Sequence, residues 1–215
     1  MKRKDRAEAI LSVLKRQNPN PGTELNYETP WQLLAAAVLS AQSTDKQVNK
    51  VTETLFKKYP GPAEIAALTP DQLAEEIRTL GLFRNKSKHL VAAASAIMTE
   101  HAGEVPQNRD ALQALPGVGR KTANVVLANA FGIPALAVDT HVFRVANRTG
   151  LAKAKTPEQV EKQLMRAIDR PLWADAHHWL ILHGRYVCTA RSPRCPACPV
   201  NIHCQYFSRQ QPSRK

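Results

Sequence analysis

Leu115-Pro116-Gly117-Val118-Gly119-Arg120-Lys121 decides the reading of this chain. Two glycines separated by one apolar residue let the backbone turn tightly and present consecutive N–H groups that larger side chains would obstruct. The apolar spacing beyond the lysine is helical, so the turn feeds a helix whose N-terminus carries partial positive charge. An anion suits such a turn, and an anion read by backbone donors alone is a nucleic-acid phosphate held without regard to sequence. A plain connection between two helices, with glycines for packing, accounts for the loop about equally well. Eighteen residues after Lys121 comes Asp139, in Val138-Asp139-Thr140-His141. An amine and a carboxylate are therefore candidates for work on one substrate, while Asp139 also suits the N-cap of a helix beginning at Thr140.

Outward from this turn, apolar spacing is helical nearly everywhere and no segment alternates over strand length, which predicts an all-α protein. Thr29-Pro30, Thr69-Pro70 and Thr156-Pro157 each offer a hydroxyl cap followed by proline at the first helical position. Thr156 with Gln159 also fits a capping box. The expected helices are roughly 5–17, 30–41, 44–58, 70–78, 85–101, 108–114, 120–130, 140–148, 157–168 and 172–187.

The formal charge of +12 and pI near 9.8 suggest a polyanionic partner. Residues 1–22 hold six Lys/Arg against two acids, residues 23–132 eleven against eleven, and residues 133–215 thirteen against five. A neutral centre between basic ends is explained if the N-terminal helix packs with the C-terminal third. Two lobes are expected: 23–132, a helical barrel carrying the hairpin, and a discontinuous lobe of 1–22 plus 133–215. The chain is expected to cross near Gly22 and near Gly132-Ile133-Pro134, with Lys121 before the second crossing and Asp139 after it. Lys2, Arg3, Lys4, Arg209, Arg214 and Lys215 also read as solvated tails, and without them the C-terminal region is still basic. Ile10–Leu14 is too short for a secretory core and Leu33–Leu39 too short to span a membrane. An intracellular protein is expected, in the nucleoid-associated cytoplasm if the cell is bacterial, working as a monomer with no membrane partner.

Cys188, Cys195, Cys198 and Cys204 are spaced C-x6-C-x2-C-x5-C. In a reducing compartment this clustering favours a metal over disulfides. Four thiolates can hold tetrahedral zinc or a 4Fe-4S cube, and spacing leaves both open. Either would replace apolar core for a short, Pro-rich segment. The loop between the first two cysteines carries Arg191 and Arg194, candidate phosphate contacts that read nearly as well as solvated charges.

Leu115 to Lys121, the Val138–His141 segment and the C-x6-C-x2-C-x5-C ending together resemble the endonuclease III family of helix-hairpin-helix base-excision-repair glycosylases. The resemblance extends to Leu39-Ser40-Ala41-Gln42-Ser43-Thr44-Asp45, to His177-His178-Trp179 and to His183-Gly184-Arg185. It implies two all-α lobes, one 4Fe-4S cluster at the four cysteines, and a duplex DNA partner bearing a damaged base or abasic site. By the same resemblance Lys121 is the nucleophile and Asp139 the catalytic carboxylate. Gln42 fills the gap left by the extruded base, although it could equally cap an apolar helix, and Leu82 in Gly81-Leu82-Phe83 is a wedge on the opposite strand. Leu115, Gly117, Val118, Gly119 and Arg120 are expected to hold the DNA backbone.

The implied reaction is bifunctional: removal of an oxidised pyrimidine through a lysine Schiff base, then β-elimination cutting 3′ to the site. The helix N-terminus and Arg120 disfavour a further positive charge at Lys121, whereas Asp139 favours one, so Asp139 is expected to accept a proton or to stabilise charge developing on the sugar. His141, His177, His178 and His183 are read as structural. Two alternatives share the motifs: a mismatch glycosylase directed at adenine or thymine/uracil, and a non-catalytic damage-binding protein. Lys121 with Asp139 argues against both, since the mismatch branch generally lacks that lysine.

Overall fold

The computed structural model describes residues 1–210; Arg214 and Lys215 lie outside the described residues. The described residues are helical, with no strand among them. They form two compact units, one from Thr23–Ile133 and one that joins Met1–Gly22 to the chain from Pro134 onward.

The central unit comprises α2 (Pro30–Leu39), α3 (Asp45–Lys58), α4 (Pro62–Ala66), α5 (Pro70–Glu76), α6 (Phe83–Glu100), α7 (Arg109–Ala114) and α8 (Arg120–Phe131). Every residue of α2 from Trp31 to Leu39 is buried, as a helix that is apolar on every face apart from Gln32 requires, and α3, α6 and α8 pack around it. The expected helix over 30–41 stops at Leu39, so Gln42 stands in the following turn and is not a helix cap.

In the discontinuous unit, α1 (Arg3–Gln17) places Ala7, Ile10, Leu11 and Leu14 in one core with residues of α9 (Thr140–Thr149), α10 (Pro157–Ala167) and α11 (Trp173–Tyr186). Trp179 is 1% exposed at its centre, and its indole N–H donates to the Asn18 carbonyl at 2.8 Å, which fixes the end of α1. Arg3 and Lys4 are part of α1, and Lys4 pairs with Asp169 at 3.4 Å, so neither is a loose tail. A 3₁₀ turn (Arg170–Leu172) leads into α11; a second (Asn201–His203) precedes α12 (Gln205–Ser208).

Local chemistry accounts for six of the twelve α-helix starts among the described residues. Thr29, Thr44, Thr69, Asn108, Asp139 and Thr156 each accept a first-turn N–H through the side chain. The capping box forms at Thr69 and Gln72, not at Thr156 and Gln159. The Gln159 side chain instead accepts from Lys155 N–H at 3.3 Å, one residue before the cap.

Candidate active site and cysteine centre

The hairpin is α7, a turn, and α8. Val118 N–H closes the turn on the Leu115 carbonyl at 3.1 Å, and both side chains face inward, 3% and 5% exposed for Leu115 and Val118. Their contribution to a ligand is therefore limited to backbone. Gly117 has φ +77, and a Cβ there would lie 2.7 Å from the Cβ of His89. Glycine is required at that position by conformation and by space. Gly119 differs: it is the N-cap of α8, makes no side-chain cap, and has nothing within 4 Å of the position a Cβ would take. Among the described residues six α-helices begin at a hydroxyl, carboxylate or amide that caps them, and α8 is one of the six whose N-terminus has no side-chain cap. Lys121 is the second residue of that helix and is half-buried.

Asp139 is the N-cap of α9, its Oδ1 accepting Val142 N–H at 2.8 Å. The cap orients the carboxylate at the start of the helix. Lys121 belongs to the central unit and Asp139 to the discontinuous one.

Gln42 and Leu82 share an uncommon backbone. Among the described non-glycine residues only Gln42, Leu82 and Ala102 have positive φ, at 55°, 58° and 50°. Such a conformation costs roughly 1–2 kcal/mol for a residue with a Cβ, and strain of this kind clusters where side chains are presented to a ligand. Both side chains are exposed, and Leu82 at 51% is among the most exposed large apolar residues.

The four cysteines line one cavity, closed by apolar residues including Val187, Pro193, Val200 and Phe207. Burial pushes the Cys198 thiol up to about 11; the Cys195 thiol is also raised, first by burial and then by Cys188 and Cys204. Among the described residues, no three His, Cys, Asp or Glu side chains converge closely enough to share a single metal ion. Arg191 and Arg194 are exposed on the loop between Cys188 and Cys195.

Two arginines of α9, not anticipated from sequence, hold this loop. Arg144 donates to the carbonyls of Cys188 at 2.9 Å and Gly184 at 2.8 Å. Arg148 donates to the carbonyls of Thr189 at 2.7 Å and Ala190 at 2.8 Å, approaches the Cys188 sulfur at 3.6 Å, and lies over the Tyr206 ring. Their i, i+4 spacing puts both on one face of α9, but nothing in the sequence pointed to the loop they reach. His177 and His178 behave as packing groups, whereas His183 lines the cysteine cavity with its Nε2 3.6 Å from Cys198 Sγ. His177 Nδ1 lies 2.9 Å from the Ala137 carbonyl, and burial, with His177 adding to it, pushes His178 down to about 3, leaving it neutral.

A family model described as HhH-GPD superfamily base excision DNA repair protein matches residues 35–170. Endonuclease III of Haemophilus influenzae is 52% identical over 197 residues, covering 92% of this chain and 93% of its own length. The chain belongs to the endonuclease III family. Among solved structures similar to this endonuclease III family member is a trapped endonuclease III–DNA covalent intermediate, with a TM-score of 0.92 and 44% identity over 97% of this chain and 99% of that one. A thermostable thymine-DNA glycosylase superposes with a TM-score of 0.85 at 25% identity, over 96% of this chain and 97% of that one. The scaffold is thus common to endonuclease III and that thymine-DNA glycosylase. In this family member, no helix among the described residues is long and apolar enough to cross a membrane.

Proposed function

We propose that the chain is a bifunctional DNA glycosylase and AP lyase of base excision repair, removing oxidised pyrimidines from duplex DNA. The observation that carries this reading is Lys121 in the first turn of α8, two residues after a glycine N-cap with open space at its side-chain position. A phosphate on the exposed N–H groups of that N-terminus sets the DNA in register beside an amine.

Extruding a base costs a few kcal/mol and is least costly at a damaged pair. Gln42 fills the vacated stack and Leu82 wedges the opposite strand. The Lys121 amine attacks C1′, the bond from C1′ to the base breaks, and the base leaves with a proton. Opening of the sugar ring gives an imine, which acidifies C2′. Loss of that proton expels the 3′ phosphate oxygen, and water then hydrolyses the imine to free the lysine. Asp139 accepts a proton during attack or stabilises positive charge on the sugar. In a bacterial cell the work belongs at the nucleoid.

Cys188, Cys195, Cys198 and Cys204 hold one 4Fe-4S cluster in this reading. Four thiols lining one cavity supply the ligand set that such a cluster takes, and the family resemblance favours it over a lone zinc ion. The cluster supplies structure, replacing apolar core for the segment from Cys188 onward, and Arg191 and Arg194 on its first loop contact phosphates. Because burial favours the protonated thiols, loading releases protons. Removing the metal with a chelator, or Cys195→Ser, is expected to bleach the visible absorbance and open the C-terminal segment to limited proteolysis. An unchanged proteolytic pattern would show that the segment folds without the group.

The hairpin glycines are expected to respond with opposite signs. Gly119→Ser introduces a favourable N-cap, so α8 gains roughly a few tenths of a kcal/mol, while the new hydroxyl occupies the N–H groups and DNA affinity falls. Gly117→Ala meets His89 and a positive φ, costing ~1–2 kcal/mol from φ alone. Thermal unfolding and fluorescence anisotropy on duplex DNA check both; tighter DNA binding by Gly119→Ser would remove the phosphate from this turn. Product analysis on thymine glycol, oxidised cytosine, abasic and mismatch duplexes tests the whole reading. Base loss confined to mismatches, without strand cleavage, would move the chain to the mismatch branch.

A further inference from the structure

Lys86 is a buried lysine, 4% exposed, in the first turn of α6. Its ammonium donates to Ser43 Oγ at 2.8 Å, and among the described residues no carboxylate pairs with it. Burial of an ammonium without a counter-charge lowers its pKa and is costly, so the position calls for a reason. The reason lies in what the hydrogen bond joins. Ser43 follows Gln42, and Lys86 is one helical turn beyond Leu82, with its own N–H on the Leu82 carbonyl at 3.0 Å. The bond thus ties together the two turns that carry the left-handed residues.

Two further contacts hold the same turns. A Cβ on Gly81 would lie 3.4 Å from the Gln42 carbonyl oxygen and 3.9 Å from Ser43 Oγ, so the backbones pass close to each other. Gln47, in the first turn of α3, donates through Nε2 to the Thr79 carbonyl at 2.6 Å, just before Gly81-Leu82. Neither residue at positive φ would hold its conformation alone, because each is strained by its own Cβ. A charge-assisted bond in a buried setting is directional and stronger than a neutral one.

We propose that Lys86 is a positioning residue that, through Ser43, fixes the separation and aim of Gln42 and Leu82 so that both strands of the duplex are engaged together when a base is extruded. The proposal rests on the reading of those two side chains given above. Lys86 contacts neither substrate nor reacting atoms; it acts on extrusion and not on the amine chemistry. Ordered before DNA arrives, the pair of turns loses less conformational freedom on binding than two independent loops.

The test compares Lys86→Met, which keeps the buried stem, with Ser43→Ala, the double variant, Gln42→Ala and Leu82→Ala. Single-turnover base removal is measured on a thymine glycol duplex, with 2-aminopurine opposite the lesion reporting unstacking. Borohydride trapping is measured on single-stranded abasic DNA, which needs no extrusion. Lys86→Met is expected to slow the duplex reaction and the fluorescence rise about tenfold, the effect of one charge-assisted hydrogen bond, while trapping on single strands stays within about twofold. The double variant is expected to be no slower than Lys86→Met, because the two residues act as one unit. Equal slowing on both substrates, wild-type rates on both, or additive losses in the double variant would each overturn the proposal. If Gln42→Ala and Leu82→Ala leave the fluorescence rise unchanged, the assignment of those side chains fails and the proposal falls with it. A loss in those two variants but not in Lys86→Met sinks the proposal alone. Melting temperatures separate the first case, a general loss of fold, from a local effect.

Discussion

Lys121→Ala is expected to abolish covalent trapping by borohydride on abasic-site duplex DNA. Base removal from an oxidised pyrimidine should fall by roughly 10³-fold or more, the scale of losing a nucleophile. The substitution leaves the turn proposed to bind phosphate in place, because Gly117, Val118 and Gly119 precede it and the donors in that proposal are backbone groups. Alanine is the best helix former, so α8 should be no less stable. Binding to duplex DNA should therefore persist, weakened only by one positive charge. Loss of trapping together with loss of binding would point to a phosphate contact instead of a nucleophile. Full trapping in the variant would assign the attacking amine to another residue.

Asp139→Asn is expected to bind DNA normally and to lose most turnover, by about 10²- to 10⁴-fold if the carboxylate moves a proton. This substitution is informative because Asp139 has a structural task that asparagine can also perform. Its Oδ1 accepts Val142 N–H at 2.8 Å, and an amide oxygen in the same place caps about as well. Asp139→Ala should add a loss of ~0.5–2 kcal/mol in stability to the loss of turnover. Single-turnover kinetics and thermal unfolding of the two variants separate charge from cap. An Asp139→Asn protein with wild-type turnover would reduce the residue to a helix cap.

What could be read before the structure is what neighbours in sequence determine. The Gly-x-Gly turn, the threonine caps and the Asp139 cap each involve groups within four residues, so the local pattern implies the contact. The all-helical class follows from the same periodicity. Other features arise between residues far apart. Arg144 and Arg148 reach 40 or more residues along the chain to the cysteine loop, and Lys86 reaches Ser43 across 43. No spacing rule encodes such pairs. His89 under Gly117 is of the same kind, visible only once α6 and the hairpin are side by side. Gln42 shows a subtler limit. Its exposure follows from where α2 stops, and two residues at a helix end decide whether a side chain caps the helix or stands beyond it. Helix α4, five residues long, is too short for periodicity to register.

The union of Met1–Gly22 with the chain from Pro134 onward has a consequence for how the protein is made. Helix α1 leaves the ribosome before the central unit, yet its apolar face, Ala7, Ile10, Leu11 and Leu14, is completed by α9, α10 and α11. Residues 23–133 must be synthesised in between, about 6–20 s of translation at ~5–20 residues per second. During that interval the central unit can fold while α1 waits with its leucines uncovered. A nascent chain arrested before α9 should therefore expose α1 to protease or to a holding chaperone, and α9, α10 and α11 are the helices that end that exposure.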